Sequence, residues 1–315
     1  MSVSHIGSPG AESGAAGLAT LHIAEATSLA HALGQFVASE LGIRVLSIKG
    51  PGATYYRLRP RRASADADLL VEPDGFEALC AGLEARGWRE RVNYDAPSVL
   101  KKYSRTLLHD AWPCDIDVHG DFPGMFGDPQ MVFDALWRDR HRINVAAREI
   151  SIPSRSASIV IGLLHALRSP WTTGVDDEYS YIKRHVHGDL SRAQITDIAR
   201  VAVECGASWS LRNELDAFGV AQSGVDASPE QMAAWETVRR LGGDVSSIGW
   251  LRALQSAPWR DKPGIALRAV WIRRSEIPRN DVKNLPTRRE ALAFELRRLR
   301  RGIGALYRYF RSASR

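Results

Sequence analysis

The sequence predicts an α+β protein: a mixed sheet with flanking helices, followed by a helical C-terminal domain. Two observations carry this. Before residue 153, short β-like runs alternate with amphipathic helical stretches. After it, nearly every segment has helical spacing. The composition agrees: 315 residues, 44% hydrophobic and 25% charged, give a globular chain with material for a sizeable core. No internal repeat is present. The expected organisation is a disordered leader at 1–19, a first domain at 20–153, and a helical domain at 154–315 ending in a basic amphipathic helix.

Residues 20–41 place Leu21, Leu29, Leu33, Phe36, Val37 and Leu41 at helical spacing, with Gly42 as the stop. Ile43 to Ile48 reads as a strand. Lys49-Gly50 follows, and Pro51 is placed to start a short helix. Asp66 to Glu72 is a second strand, and Asp74 is placed to cap a helix running to about Arg86. Strands are expected near 88–93, 100–108 and 113–119, a helix over Pro129–Arg138, and a last strand over Arg148–Ile152. Pro153 closes this region. Ser154 caps a helix to about Leu167, Trp171 to Asp177 is a loop, and helices follow at 191–204, 208–218, 229–241 and 264–274. The terminal helix starts at Thr287 with Glu290 three residues on, a capping box. Its apolar stripe, Leu292, Leu296, Leu299, Ile303, Leu306 and Phe310, is expected to dock on the body and present the arginines.

Charge and cysteine content exclude several classes. No apolar run approaches the ~18–20 residues that span a bilayer. The first residues lack a basic start followed by an apolar block, which argues against a secretory signal. Cys80, Cys114 and Cys205 lie far apart with no CxxC, which excludes a disulfide scaffold and the usual zinc spacings and fits a reducing cytoplasm. Residues 284–315 hold nine Arg against two Glu, so they carry the net +6 of the whole chain and the remainder is slightly acidic. A stripe of that kind meets RNA, a membrane or an acidic substrate, or is simply a solvated face.

Three segments are candidates for chemistry. In Asp66-Ala67-Asp68, strand alternation turns both carboxylates to one face. Two anions that close repel unless a cation sits between them, and Mg²⁺, an oxygen-seeking ion, is the natural one. In Cys114-Asp115-Ile116-Asp117-Val118-His119, Asp115, Asp117 and His119 share one face and the apolar pair the other. Paired beside the first strand, this segment adds a third carboxylate, as two-metal phosphoryl transfer requires. Lys49-Gly50 at a strand-to-helix junction offers close backbone approach and a point charge to a phosphate, without a Walker loop.

Other polar groups have plainer readings. His165 reads as a core histidine, and His185, His187 and Asp189 as a polar loop. Asp176, Asp177 and Glu178 read as a solvated loop or the lining of a substrate cleft. Trp209, Trp235, Trp250, Trp259 and Trp271 read as core.

Ser47–Val71, SIKGPGATYYRLRPRRASADADLLV, together with Asp115–His119, DIDVH, resembles the uncharacterised nucleotidyltransferase family of the polymerase-beta-type superfamily. The detailed likeness covers about 40 residues. A looser one runs over roughly 40–220, where Asp197 and Trp209 fall in familiar places. The resemblance implies a nucleotidyltransferase-type mixed sheet. By position, Asp66 and Asp68 fall on the metal pair, Asp117 on the third carboxylate and His119 on the histidine two residues later. Lys49 and Gly50 fall on the Lys-Gly, and Arg62 on the arginine four residues before the first metal ligand. Two positions depart from the usual pattern: Ala65 replaces a Ser and Ala67 an Ile, with Ser64 offering a hydroxyl one place earlier.

The implied chemistry is transfer of NMP from an NTP such as ATP to a hydroxyl, with pyrophosphate leaving. Mg²⁺ or Mn²⁺ would be held by Asp66, Asp68 and Asp117, with Asp115 as the alternative third ligand. Lys49, Gly50, Arg62 and Ser64 would meet the phosphates, and His119 would lie near substrate. The expected acceptor is a small molecule or peptide, ahead of an RNA or tRNA end reached by the Arg-rich helix. A non-catalytic nucleotide-binding protein is the remaining alternative, with Ala65 its sequence support.

Overall fold

A computed structural model of the chain describes residues 21–92, 104–168, 175–221, 226–241, 245–277 and 285–313. The first helix, α1 (Ile23–Leu41), ends where Gly42 takes a left-handed φ of 69° and returns its N–H to Ala38 and Ser39. After it come β1 (Val45–Ser47), the short α2 (Gly50–Tyr55) and β2 (Asp66–Val71). A 3₁₀ turn over Pro73–Gly75 leads into α3 (Phe76–Glu84). Asp74 therefore lies inside that turn and makes no cap bond, contrary to expectation. Next are β3 (Arg89–Glu90), β4 (Ser104–Leu108) and β5 (Asp115–His119); the stretch 93–103 of the expected strands lies outside the described residues. The α4 helix (Pro129–Arg138) starts with Pro129 at its first position, and the Asp128 carboxylate accepts from two backbone N–H groups.

The sheet is mixed, in the order β1-β2-β5-β4-β3. Only β2 and β5 run parallel; the other pairs are antiparallel. A separate hairpin, β6 (His141–Val145) with β7 (Arg148–Ile152), packs through β7 on β1 and α1. Sequence reading found β7 but not β6. The reason is the turn: Ala146 and Ala147 both sit at positive φ, 47° and 60°, where a two-residue hairpin normally carries Asn or Gly.

Each sheet face has its own core. Ala67, Leu69, Val71, Ile116 and Val118 pack against α1 and α3. The α1 contact face matches the expected stripe in part: Val37 is buried and Leu21, Leu33 and Phe36 pack against the same core, but smaller residues fill the centre of the contact. Ala26, Thr27, Ala30, His31, Gly34, Val37 and Ala38 are buried, while Leu29 and Leu41 are exposed. Small residues let the helix lie close on the strand: a Cβ on Gly34 would sit 2.3 Å from Leu69 Cδ1.

The opposite face gives Leu46, Ile48 and Leu70 to a larger core shared with the helical half. That half comprises α5 (Arg155–Arg168), α6 (Val175–Tyr181), α7 (Arg192–Glu204), α8 (Arg212–Ala217), α9 (Pro229–Leu241), α10 (Val245–Ser256), α11 (Lys262–Val270) and α12 (Arg288–Ala313). The hydrophobic core is therefore continuous across residue 153. No helix among the described residues is long and apolar enough to cross a membrane.

Several expectations for the helical half are corrected. Of the loop expected over Trp171–Asp177, residues 171–174 lie outside the described residues, and 175–177 belong instead to α6, which begins at Val175 and carries Glu178. His185, His187 and Asp189 lie in a π-turn and a 3₁₀ turn that continue it, not in a loop. The helix α10 was not anticipated. Trp235 and Trp250 are core, but Trp259 is 76% exposed and Trp271 is also exposed. The α12 capping box forms as expected, with Thr287 N donating to Glu290 Oε2 at 2.7 Å and Glu290 N to Thr287 Oγ1 at 3.3 Å.

The docking face of α12 is a different one. Ala291 and Glu295 are buried, and Glu295 accepts from the Ile272 N–H at 2.7 Å. Arg298 donates to the Ala269 and Val270 carbonyls. Leu292, Leu296 and Ile303 face outward, Leu296 at 60% exposure. The last turn of α11 leaves carbonyls that an arginine satisfies better than a leucine does.

Candidate active site

The parallel register of β2 and β5 places Asp66 opposite Asp115, Asp68 opposite Asp117 and Leu70 opposite His119. Strand alternation sends these side chains to the face shared with the helical half, while Ala67, Leu69, Ile116 and Val118 fill the other core. Asp68, Asp117 and His119 each offer a ligand atom, and these atoms lie within 4.8 Å of one another. Among the described residues this is the group of three that suits a metal ion. Asp117 Oδ1 is buried and has no hydrogen-bond partner there.

The cluster is organised around Asp68, which is 4% exposed. Lys49 Nζ donates to its Oδ1 at 2.6 Å, and His119 Nε2 lies 2.9 Å from the same oxygen. Burial works against ionisation of Asp68, but Lys49 and the His119 hydrogen bond outweigh it and hold the carboxyl far below the usual range. Asp66 goes the other way. Burial, then the charges of Asp68 and Asp117, push it up to about 6 against the pull of Lys49. The carboxylates therefore carry more negative charge than the one lysine neutralises. Lys49 reaches Asp68 from an unusual backbone conformation, φ 58° and ψ −98°. Sparsely populated geometry of this kind is held only when the surroundings enforce it.

Two expected carboxylates stand apart from the group of three. Asp66 opens β2 and is half-buried. Asp115 is ion-paired with Arg91, which lies just past β3.

A cleft of about 590 Å³ lies between α1, α2, the loop 59–64 and β6. Gly50, Arg62 and Ser64 line it, as do His31, Arg59 and Arg142. The expected phosphate-binding residues are thus split. Gly50, Arg62 and Ser64 share the cleft, while the Lys49 side chain serves the carboxylates. The expectation for Arg62 also omitted its neighbour. Arg59, with its side chain 8% exposed, donates to Ser64 Oγ at 2.9 Å and lies 3.4 Å from Glu178 Oε1. Arg62 Nη2 donates to that same carboxylate oxygen at 2.6 Å. Glu178 of α6 thereby ties the helical half to the loop that precedes Asp66.

Sequence reading missed His31, Arg59 and the pairing of Glu178. Thr27, His31 and Gln35 recur every fourth residue along α1, a polar line on its inner side, and that was the available signal. Thr27 Oγ1 donates to Ser64 O at 3.0 Å, and Gln35 Oε1 accepts from Ser151 N at 3.1 Å. His165 is half-buried, beside Lys49, Arg59 and Glu178. Burial, then the charges of Lys49 and Arg168, push its pKa down to about 3.

No protein-family model matches this chain, and no curated protein does. Solved structures similar to part of it include an adenylyltransferase, an antibiotic-resistance factor and a nucleotidyltransferase-like protein. The lincomycin-bound lincosamide antibiotic adenylyltransferase LnuA is 16% identical, with a TM-score of 0.30, covering 55% of this chain and 94% of that one. The solution structure of the antibiotic-resistance factor ANT(2'')-Ia is 17% identical, with a TM-score of 0.38, covering 62% and 96%. An antigenic nucleotidyltransferase-like protein from Paracoccidioides brasiliensis is 15% identical, with a TM-score of 0.33, covering 61% and 93%.

Proposed function

We propose that this chain is a divalent-cation-dependent nucleotidyltransferase, moving NMP from an NTP to a hydroxyl of a small molecule or peptide. One observation carries the reading: Asp68, Asp117 and His119 converge beside Lys49, with an Asp117 oxygen left open. The donor set fits a divalent cation. The carboxylates suit Mg²⁺, and an imidazole in the set suits Mn²⁺ as well. Asp66, on the same face, is the further ligand in this reading, and Asp115, tied to Arg91, is the lesser candidate.

A cation bound here supplies charge neutralisation on the triphosphate and lowers the pKa of the acceptor hydroxyl. The protein's own groups do the rest. His119 and Lys49 fix the Asp68 carboxylate in its ionised form. Arg59 and Arg62 bring positive charge to the phosphates, and Gly50 lets them approach the backbone. The acceptor hydroxyl gives up its proton to solvent as its oxygen attacks the α-phosphorus in line, the bond to the bridging oxygen breaks, and pyrophosphate leaves. In this reading residues 20–153 carry the site, and the helical half closes it through Glu178. Three buried, free cysteines support a reducing compartment, the cytoplasm.

Exposed Arg297, Arg300 and Arg301 on α12 favour an RNA acceptor as a second reading. The outward-facing Leu292, Leu296 and Ile303 among them weaken it, because a phosphate backbone gains nothing from leucine. RNA affinity that falls steeply with salt would revive it.

The test is thermal unfolding with each of the four NTPs, with and without Mg²⁺, for wild type and Asp66→Ala/Asp68→Ala. A Mg²⁺-dependent rise with one NTP, absent in the double variant, is expected. No response of the wild type to any NTP would favour a non-catalytic protein.

A further inference from the structure

We propose that the outward face of α12 docks on an anionic lipid bilayer, the helix lying along the headgroup region rather than crossing it. The inference does not depend on the nucleotidyl-transfer reading.

The first observation is where apolar surface is exposed. Of the fifteen large apolar side chains exposed among the described residues, nine fall within residues 259–307. Single exposed leucines are ordinary, but such a concentration marks an interaction surface. The second is their alignment. Leu292, Leu296, Ile303 and Tyr307 are exposed, Ile303 at 69%, with half-buried Leu299 among them. At about 100° per residue these five lie within a sector of roughly 80° and run about 22 Å along the helix. Ala291 and Glu295, which dock on the body, occupy another sector. The stripe is therefore a ridge left over after α12 has packed.

The third is charge. Residues 284–315 hold nine Arg against two Glu. Both glutamates are committed, Glu290 to the Thr287 cap and Glu295 to the Ile272 N–H and Arg298. The same helical geometry sets Arg288 on one edge of the ridge and Arg289 and Arg300 on the other, all exposed. The fourth is the neighbourhood. Glu295 and Arg298 fasten residues 269–272 to α12, which brings exposed Val270 and Trp271 beside the helix. An indole, apolar in its body and polar at its N–H, suits a membrane boundary.

A ridge that is apolar along its crest and cationic along its margins fits a partner that is apolar within and anionic at its surface. Acidic lipids supply both. The leucines and Tyr307 enter the headgroup boundary, while the arginine stems lie along it and their guanidinium groups meet phosphates. RNA would engage the arginines alone. A second copy would cover the leucines, but it would bring nine more arginines and no uncommitted glutamate on that helix, so like charges would face each other. The cytoplasmic leaflet carries such lipids, in keeping with the compartment proposed above.

The experiment is co-flotation of the full chain with vesicles of phosphatidylcholine, and of phosphatidylcholine mixed with phosphatidylglycerol. The chain is expected to partition onto the mixed vesicles at least roughly tenfold better than onto the neutral ones, and high salt should weaken this. Leu292→Gln/Leu296→Gln/Ile303→Gln, which keeps good helix formers, should lower partitioning by roughly 100-fold. Arg288→Gln/Arg289→Gln/Arg300→Gln should lower it by about fivefold per arginine, on the mixed vesicles only. All six side chains point outward, so thermal unfolding of both variants should match wild type. If the first triple variant does not fold, Leu296→Gln alone takes its place, with roughly a fivefold loss expected. No flotation of the wild type, equal flotation with neutral vesicles, or a leucine variant that floats like wild type would overturn the proposal. A wild-type dimer in lipid-free buffer that the leucine variant breaks would overturn it too, and give the face to a second copy. Tight RNA binding without flotation would give it to RNA.

Discussion

Asp117→Asn is expected to lower divalent-cation affinity by about 100-fold or more while leaving the metal-free fold as stable as before, or more so. Loss of a mere supporting group around a metal costs roughly 10–100-fold, and Asp117 is proposed as a ligand. Its Oδ1 makes no hydrogen bond among the described residues, so the fold forfeits none there. Its charge helps push Asp66 up to about 6, so neutralising it relieves repulsion within the cluster. Nucleotidyl transfer should fall by roughly 10³-fold, the equivalent of several kcal/mol of transition-state stabilisation. Calorimetric titration with Mn²⁺ and thermal unfolding in chelator check the two halves. A variant that is much less stable without metal, yet binds Mn²⁺ normally, would make Asp117 a structural residue. Asp115→Asn is the companion. It breaks only the ion pair with Arg91, and it should leave transfer near wild type.

Asp68→Asn is expected to act oppositely on the fold, destabilising it by about 3–5 kcal/mol even without metal. The pair with Lys49 is largely out of water, with side chains 5% and 17% exposed, and Lys49 Nζ would be left facing a neutral amide. His119 also loses its charged partner. Lys49→Met alone leaves the carboxylates with no cation, so its stability should drop in chelator and recover with Mg²⁺ or Mn²⁺. The double variant should be more stable than the sum of the single losses predicts, because each charge is costly mainly when the other is gone. Chemical denaturation of the four proteins, with and without Mn²⁺, gives the coupling. Additive losses would mean that Lys49 and Asp68 do not act as a pair.

Much of this site was legible because strands are legible. Asp66, Asp68, Asp115, Asp117 and His119 alternate with apolar residues, and alternation alone puts them on one face. The sequence does not say which strand neighbours which. Two-residue alternation is the same in any register and leaves Asp115 and Asp117 equal; the family resemblance singled out Asp117, and the β2–β5 pairing sets it opposite Asp68.

Helix faces were less legible. In α1 the expected stripe reaches the core through Val37, Leu21, Leu33 and Phe36, but close packing on β2 also selected the alanines and Gly34, and with them His31, which leucine spacing does not mark. In α12 the leucines suggested docking, but Glu295 and Arg298 found open backbone groups and turned the helix. The β6–β7 hairpin was hidden by its Ala-Ala turn. Arg59 and Glu178 are 119 residues apart in sequence, a separation across which local pattern carries no information.

The central claim is that the Asp68, Asp117 and His119 cluster is the cation site of a nucleotide-processing centre. Its most direct test is anomalous diffraction from crystals grown with Mn²⁺ and a non-hydrolysable NTP. The account predicts a manganese peak at ligand distance from Asp68 and Asp117, with the triphosphate running from it toward Gly50. Manganese elsewhere, or a nucleotide bound away from these carboxylates, would contradict it.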